Sequence, residues 1–217
     1  GVDGAAGLVG FDIETTGADA VRVALRDAEG QVVATSSGAA GVLRVADAHL
    51  WQPGASYLYN LTAQALVGGE VVDEYSLPVG VRTIEVRGTE FLINGAPFYF
   101  TGFGRHEDSA IRGKGHDNAY LVHDFQLMDW IGANSFRTSH YPYAEEVMEF
   151  ADRHGIVVID EVGAVGLNLA MGGGIFGGQN QQTFSPDRIN DRTRETHAQA
   201  IRELVERDKN HPSVVMW

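Results

Sequence analysis

Three short segments in the C-terminal half of the chain carry most of the side chains that could bind or act on a small molecule. They are residues 102–108 (GFGRHED), residues 137–143 (RTSHYPY) and the pair Asp160-Glu161. Seven of the eight histidines also lie in this half. Cations, imidazoles and carboxylates that follow predicted strands can build the floor of a polar pocket. A functional site is therefore predicted here.

The segment 137–143 is suited to a carbohydrate. Its histidine supplies hydrogen bonds for ring hydroxyls, and its two tyrosines offer aromatic faces for the C–H groups of a sugar. A rigid turn with its rings packed inward would explain the same residues without a ligand. Residues 102–108 leave a similar choice, because their arginine, histidine and carboxylates could line a pocket or form a salt-bridged turn.

The pair Asp160-Glu161 ends a predicted strand. Successive side chains on a strand point to opposite faces, so at most one of the two faces a common interior. The two carboxylates of a retaining glycosidase come from different strands, about 5 Å apart, and neighbours in sequence cannot supply that geometry. We therefore expect these residues to orient other groups by hydrogen bonds.

Composition and missing motifs exclude several classes of function. The net charge of −13 disfavours nucleic acid and anionic membranes as partners. No Gly-x-Gly-x-x-Gly precedes a predicted helix, and the sequence contains neither a phosphate-binding Walker motif, nor His-Glu-x-x-His, nor any cysteine. We expect neither a cofactor nor a metal. The first ten residues lack the pattern of a signal peptide, so a cytoplasmic location is expected.

The elements that must position these residues differ between the two halves. Short strands separated by turns fill the first eighty residues, which predicts an antiparallel sandwich about one strand short of completion. From residue 82 onward a hairpin turning at Asn94-Gly95, with residues 98–100 as its returning strand, leads into alternating helices and strands, which predicts a parallel sheet. The first of these helices is predicted to begin at a capping Asp117, and the last to direct Ile201 inward. In that sheet the active edge lies at the carboxyl ends of the strands.

The last five residues, SVVMW, read as a buried parallel strand. Such a strand needs a neighbour and a covering layer, so the chain is expected to be a fragment of a larger enzyme. Two copies completing each other's sheet are the alternative.

Seven motifs resemble, in the same order, those of glycoside hydrolase family 2, and within it the bacterial β-glucuronidases. They are FLING at 91–95, GFGRHED at 102–108, IRGKG at 111–115, GAN at 132–134, RTSHYPY at 137–143, GIVVIDE at 155–161 and NHPSVVMW at 210–217. The resemblance implies a multi-domain β plus α/β protein. Residues 1–82 would form an immunoglobulin-like β-sandwich, incomplete at its N-terminus, and residues 83–217 the first half of a (β/α)8 TIM barrel.

The activity implied by the resemblance is retaining hydrolysis of β-D-glucuronides to glucuronate and an aglycone. Both catalytic glutamates of the family would lie beyond Trp217, so the chain alone is expected to be inactive. The parent enzyme is expected to be a homo-oligomer. A β-galactosidase-type glycosidase of the same family, or a non-catalytic scaffold or carbohydrate-binding fragment, is the alternative.

The same resemblance implies roles for individual residues. His140 would bind the sugar by a hydrogen bond. Arg137, His106, Asp160 and Glu161 would support the pocket. The long loop after Glu161 would cover the entrance of the site, with three residues contacting the aglycone: Met171, Ile175 and Phe176.

Overall fold

The computed structural model describes residues 1–164, 185–187 and 189–217. Within residues 1–82 it contains two antiparallel sheets. The first holds β1 (Val2–Asp3), β2 (Ala6–Asp12) and β5 (Ala40–Val45), in that order. The second has the order β4 (Val32–Ser37), β3 (Ala20–Arg26), β6 (Tyr59–Val67) and β7 (Glu70–Val79).

Strand β3 shows why the first half folds as a sandwich. Val21, Val23 and Leu25 are buried, while the arginines between and after them are exposed. This period of two directs every second residue into the space between the sheets. There the three side chains join a core that includes Leu43 and Leu61. The predicted sandwich is confirmed.

The sequence pattern missed β1 and β2. Strand β2 reads AGLVGFD, and its two glycines obscure the alternation. With these two strands, residues 1–82 contain seven. Seven is the number in a constant-type immunoglobulin sandwich.

A three-stranded sheet, β8 (Ile84–Arg87), β9 (Glu90–Ile93) and β10 (Ala96–Pro97), connects the two halves. Asn94 and Gly95 have φ angles of 53° and 74°, as the predicted tight turn requires. The expected strand over residues 98–100 is wrong. These residues are not in a strand, and the rings of Phe98 and Phe100 pack edge to face with centroids 4.9 Å apart.

Four parallel strands form the sheet of the second half. Their order is β11 (Gly102–Arg105), β14 (Ser135–Thr138), β15 (Val157–Ile159) and β16 (Val214–Met216). Between β11 and β14 the chain forms a small separate sheet of two antiparallel strands, β12 (Asp108–Ser109) and β13 (Gly113–Lys114). Helices α1 (Asn118–Ile131), α2 (Glu145–His154) and α3 (Asp191–Asp208) connect the parallel strands. This arrangement confirms the predicted half-barrel. None of the helices in the described ranges is both long and apolar enough to cross a membrane.

Local signals set the ends of the helices. The Asp117 side chain accepts hydrogen bonds from two backbone N–H groups of the first turn of α1, and Gly132 ends this helix in the left-handed conformation. Gly155 ends α2 in the same way. In α3, Ile201 was expected to face inward, but it is 38% exposed. The buried residues of that helix are Leu204 and Asp208, four residues apart on one face.

Side chains of the sandwich dock onto the half-barrel. Trp51 is fully buried, and its Nε1 donates to the Asp152 carbonyl at 2.8 Å. Arg82 donates through Nη2 to the carbonyl of Val214 at 2.6 Å and through Nε to that of Pro212. The sandwich therefore fixes the end of α2 and the start of β16.

Candidate functional site

Arg137, His140 and Glu161 meet at the carboxyl ends of β14 and β15. Arg137 pairs with Ile159 in the parallel register, so the residues that follow each strand emerge side by side. His140 Nδ1 lies 2.9 Å from Glu161 Oε1, and Arg137 Nε lies 3.0 Å from Glu161 Oε2. One carboxylate thus holds both an imidazole and a guanidinium group.

His106 completes this group from the end of β11. The His106 ring lies edge-on to the His140 ring, with their centroids 5.5 Å apart. The centroids of the His106 and Tyr141 rings are 6.4 Å apart. We call Arg137, His140, Glu161 and His106 the strand-end cluster. Four of the five residues predicted for the pocket and its support therefore come together.

Asp160, the fifth residue, points to the opposite face. It is 2% exposed, and its Oδ1 accepts a hydrogen bond from Thr138 Oγ1 at 3.0 Å. Burial, together with the neighbouring carboxylate of Asp208, raises the pKa of Asp160 to about 7. The expected division of the Asp160-Glu161 pair between two faces is seen, with Glu161 on the side of His140.

Thr138 connects the two faces. Its fully buried hydroxyl donates to Asp160 and accepts the backbone N–H of Glu161 at 2.7 Å. Asp160 Oδ1 accepts the same N–H at 3.1 Å. The buried network therefore holds the backbone that carries the Glu161 side chain.

Residues 102–108 combine both roles that the sequence left open. Arg105 is buried and forms a salt bridge with Asp124 through Nε at 2.9 Å and Nη2 at 2.6 Å. Glu107 is also buried and accepts the backbone N–H of Ala144 at 3.0 Å. His106 lies between them in sequence and faces the site. Alternation along the strand end thus separates structural residues from the exposed imidazole.

Sequence reasoning missed the structural role of Glu107. Helix α2 begins after Ala144, whose side chain cannot accept a hydrogen bond, so another residue must satisfy its first N–H groups. That missing cap was the available signal. Glu107 also donates its own N–H to the hydroxyl of Tyr141 at 3.1 Å, and the ammonium of Lys114 lies 4.1 Å from the Tyr141 ring centre. These contacts hold the turn that carries His140.

Glycines on β11 allow the strands below the cluster to lie close together. A Cβ on Gly102 would lie 2.1 Å from the Ser135 carbonyl oxygen, and one on Gly104 would lie 2.4 Å from Ser139 Oγ. The same strands border a concave space of about 350 Å³, lined in part by Arg137 and Ile159. Arg137 is the member of the strand-end cluster that lines this space.

The cluster offers hydrogen bonds and charge. Its only carboxylate, Glu161, is engaged by Arg137 and His140. Within the described ranges, no three or more histidine, aspartate and glutamate side chains are arranged to hold a metal ion. The geometry supports the binding and orientation of a polar ligand. Met171, Ile175 and Phe176, predicted to contact an aglycone, lie outside the described residues.

The two halves match two sequence profiles of one family. Residues 84–217 match the TIM barrel domain of the glycosyl hydrolases family 2, and residues 3–82 match a second domain of the same family. A β-glucuronidase of Paenibacillus borealis is 52% identical over all of this chain and 35% of its own length. The Sus scrofa β-glucuronidase is 49% identical over all of this chain and 32% of its own length.

Solved structures agree. A β-D-glucuronidase of Dictyoglomus thermophilum superposes with a TM-score of 0.90 at 48% identity, over all of this chain and 36% of that one. A Ruminococcus gnavus β-glucuronidase in complex with D-glucuronic acid gives 0.86 at 40% identity, over 99% of this chain and 34% of that one. The chain thus spans about a third of the length of these relatives. On these grounds it belongs to glycosyl hydrolase family 2.

Proposed function

We propose that the protein hydrolyses β-D-glucuronides with retention of configuration, releasing glucuronate and an aglycone. The main support is the similarity of the entire chain to proteins named β-glucuronidase, at 52% and 49% identity. The Ruminococcus gnavus relative, which holds D-glucuronic acid, supports a glucuronide as the small-molecule substrate.

In this proposal the strand-end cluster binds and orients the sugar. His140 forms a hydrogen bond to a ring hydroxyl, and Arg137, Glu161 and His106 keep its imidazole in place. Asp160 acts from the outer face by way of Thr138. The nucleophilic and acid/base glutamates, as the family resemblance implies, are not among these 217 residues.

Activity of the complete gene product tests the proposal. We expect an aryl β-glucuronide to be cleaved much faster than the matching β-galactoside. His140→Ala should lower kcat/KM by about 10-fold or more, because a hydrogen bond to the sugar is lost. A preference for the galactoside would indicate a β-galactosidase-type enzyme, and no cleavage of either would favour a non-catalytic scaffold. Turnover by the 217-residue chain alone would contradict the placement of the catalytic glutamates.

We further propose that the protein acts in the cytoplasm as a homo-oligomer, and that it binds neither nucleic acid nor membranes. The net charge of −13 supports the second part, because it repels phosphate groups. Cell fractionation and size-exclusion chromatography with light scattering test the location and the oligomeric state. A secreted protein or a monomer would contradict these proposals, and retention on a nucleic-acid column or on anionic vesicles would do the same.

A further inference from the structure

Glu161 is held at three places. Its Oε1 faces His140 Nδ1 at 2.9 Å, and its Oε2 faces Arg137 Nε at 3.0 Å. Its backbone N–H donates to Thr138 Oγ1 at 2.7 Å and to Asp160 Oδ1 at 3.1 Å. Oε1 is within hydrogen-bond distance of the imidazole, whereas Oε2 has no hydrogen bond and only the ion pair with Arg137, so turning the carboxylate away from His140 would cost both contacts.

This pairing determines which nitrogen of His140 carries the proton. An ionised carboxylate only accepts hydrogen bonds, so Nδ1 must be the donor. In the neutral imidazole Nε2 is then left with a lone pair and acts as an acceptor. The His140 side chain is 59% exposed, and none of the described residues forms a hydrogen bond with Nε2. The acceptor is therefore free for a ligand.

We propose that Glu161 is a positioning residue that fixes His140 in the tautomer with Nε2 free to accept a hydrogen bond from a sugar hydroxyl. Arg137 contributes through its charge, which lies 3.0 Å from the second carboxylate oxygen, while its N–H groups donate to Ser139 Oγ. The inference rests on the proposed function and adds a direction to its key hydrogen bond: the sugar O–H donates and the imidazole accepts. A glucuronide that lacks the hydroxyl hydrogen at this position loses the interaction.

The tautomer can be observed without any substrate. Two-bond ¹H–¹⁵N spectra of histidine-labelled protein distinguish the two neutral forms, and His140→Gln assigns the signal. We expect the Nδ1–H form in the unchanged protein. The form should largely persist in Glu161→Gln, which retains one acceptor oxygen, and give way to Nε2–H in Glu161→Leu. An Nε2–H imidazole in the unchanged protein, or a tautomer unaffected by Glu161→Leu, would overturn the proposal.

A double-mutant cycle in the complete gene product tests whether Glu161 acts through His140. Glu161→Leu should lower kcat/KM for an aryl β-glucuronide between about 10-fold and 100-fold, since the imidazole is no longer oriented. In a His140→Ala background the same substitution should have little further effect. Losses that multiply in the double variant would show that Glu161 acts independently, contrary to the proposal.

Glu149→Gln is the matched control, because that carboxylate pairs with Arg153 on the surface of α2, and it should leave kcat/KM unchanged. The two tests separate this inference from the proposed function. A protein with the expected tautomer that cleaves no glucuronide would contradict only the proposed function. An active glucuronidase with an Nε2–H imidazole would contradict only the role of Glu161.

Discussion

The buried hydroxyl of Thr138 forms hydrogen bonds with two neighbouring polar groups. It donates to Asp160 Oδ1 at 3.0 Å and accepts the N–H of Glu161 at 2.7 Å. Threonine can do both because a hydroxyl is at once a donor and an acceptor, and its side chain has nearly the same shape and volume as that of valine. The position therefore couples the packing of β14 to the orientation of Glu161.

Replacing Thr138 by valine should lower the free energy of unfolding by about 1–3 kcal/mol, because two buried groups lose a hydrogen-bond partner while the shape is kept. Urea unfolding of the 217-residue chain measures the change. Thr138→Ser is the matched control, since it retains the hydroxyl, and it should be the less destabilised of the two. Equal stabilities for the valine variant and the unchanged chain would show that the hydroxyl contributes nothing.

The titration of Asp160 should make stability depend on pH. Burial and the Asp208 carboxylate raise its pKa from 3.8 to about 7, so between these values the folded chain keeps a proton that the unfolded chain has lost. The contribution of Asp160 to stability is therefore greatest at low pH and falls as pH rises through this window. Asp160→Asn cannot titrate, so its unfolding free energy should decline less steeply than that of the unchanged chain.

Urea unfolding at several pH values between 3.8 and about 7 gives the two slopes to be compared. The control is Asp12→Asn, a substitution at the exposed end of β2, which should leave the slope unchanged. If Asp160→Asn and the unchanged chain had parallel pH profiles, Asp160 would not be titrating in this window.

At the scale of the element, strand β11 depends on its glycines. Gly102→Ala would place a Cβ 2.1 Å from the Ser135 carbonyl oxygen, which belongs to the backbone of β14 and cannot move aside alone. The substitution should lower the free energy of unfolding by about 1–3 kcal/mol. Gly10→Ala in β2 is the control, because its Cβ would meet no atom within 4 Å. Equal urea midpoints for the two variants would contradict the close approach.

Elements with their own local sequence signal could be predicted, whereas elements shaped by a neighbour could not. Strand β3 and helix α1 carry their own signals, a period of two and a capping aspartate, so both were predicted. Strand β11 reads GFGR and has no such pattern. Its place in the sheet depends on the close approach of β14, which its own residues do not reveal. Residues 98–100 showed the reverse case: an aromatic run typical of a strand forms a packed cluster instead.

The residues of the candidate site could be named from the sequence, but their contacts could not. Arg137, His140 and Glu161 were proposed as site residues because they carry polar chemistry at predicted strand ends. Their pairing depends on the register of β14 against β15, which places Arg137 opposite Ile159 and which sequence alone does not specify. The cap that Glu107 provides for α2 joins positions 37 residues apart and is equally a product of the fold.

At the scale of the whole molecule, the two halves share a buried interface. Trp51 is fully buried and donates to the Asp152 carbonyl, and the N–H of Gly54 donates to the carbonyl of Gly155 at 2.9 Å. Position 155 has to be a glycine, because a Cβ there would lie 2.6 Å from Gly54 N. Hydrogen bonds to backbone carbonyls at the end of a helix leave little freedom for the halves to slide. We therefore expect them to unfold together.

Trp51→Ala tests that expectation. It removes a large buried side chain and leaves the Asp152 carbonyl without its donor, so it should lower the free energy of unfolding by about 3–5 kcal/mol. Since it weakens the contact between the halves, the single transition of the unchanged chain should separate into two. Circular dichroism across a urea titration follows both halves without relying on tryptophan fluorescence.

Trp130→Ala is the control. This side chain is 83% exposed, so its replacement should change the free energy of unfolding by less than about 0.5 kcal/mol and keep one transition. Two transitions already present in the unchanged chain would show that the interface does not couple the halves, however well Trp51 is packed.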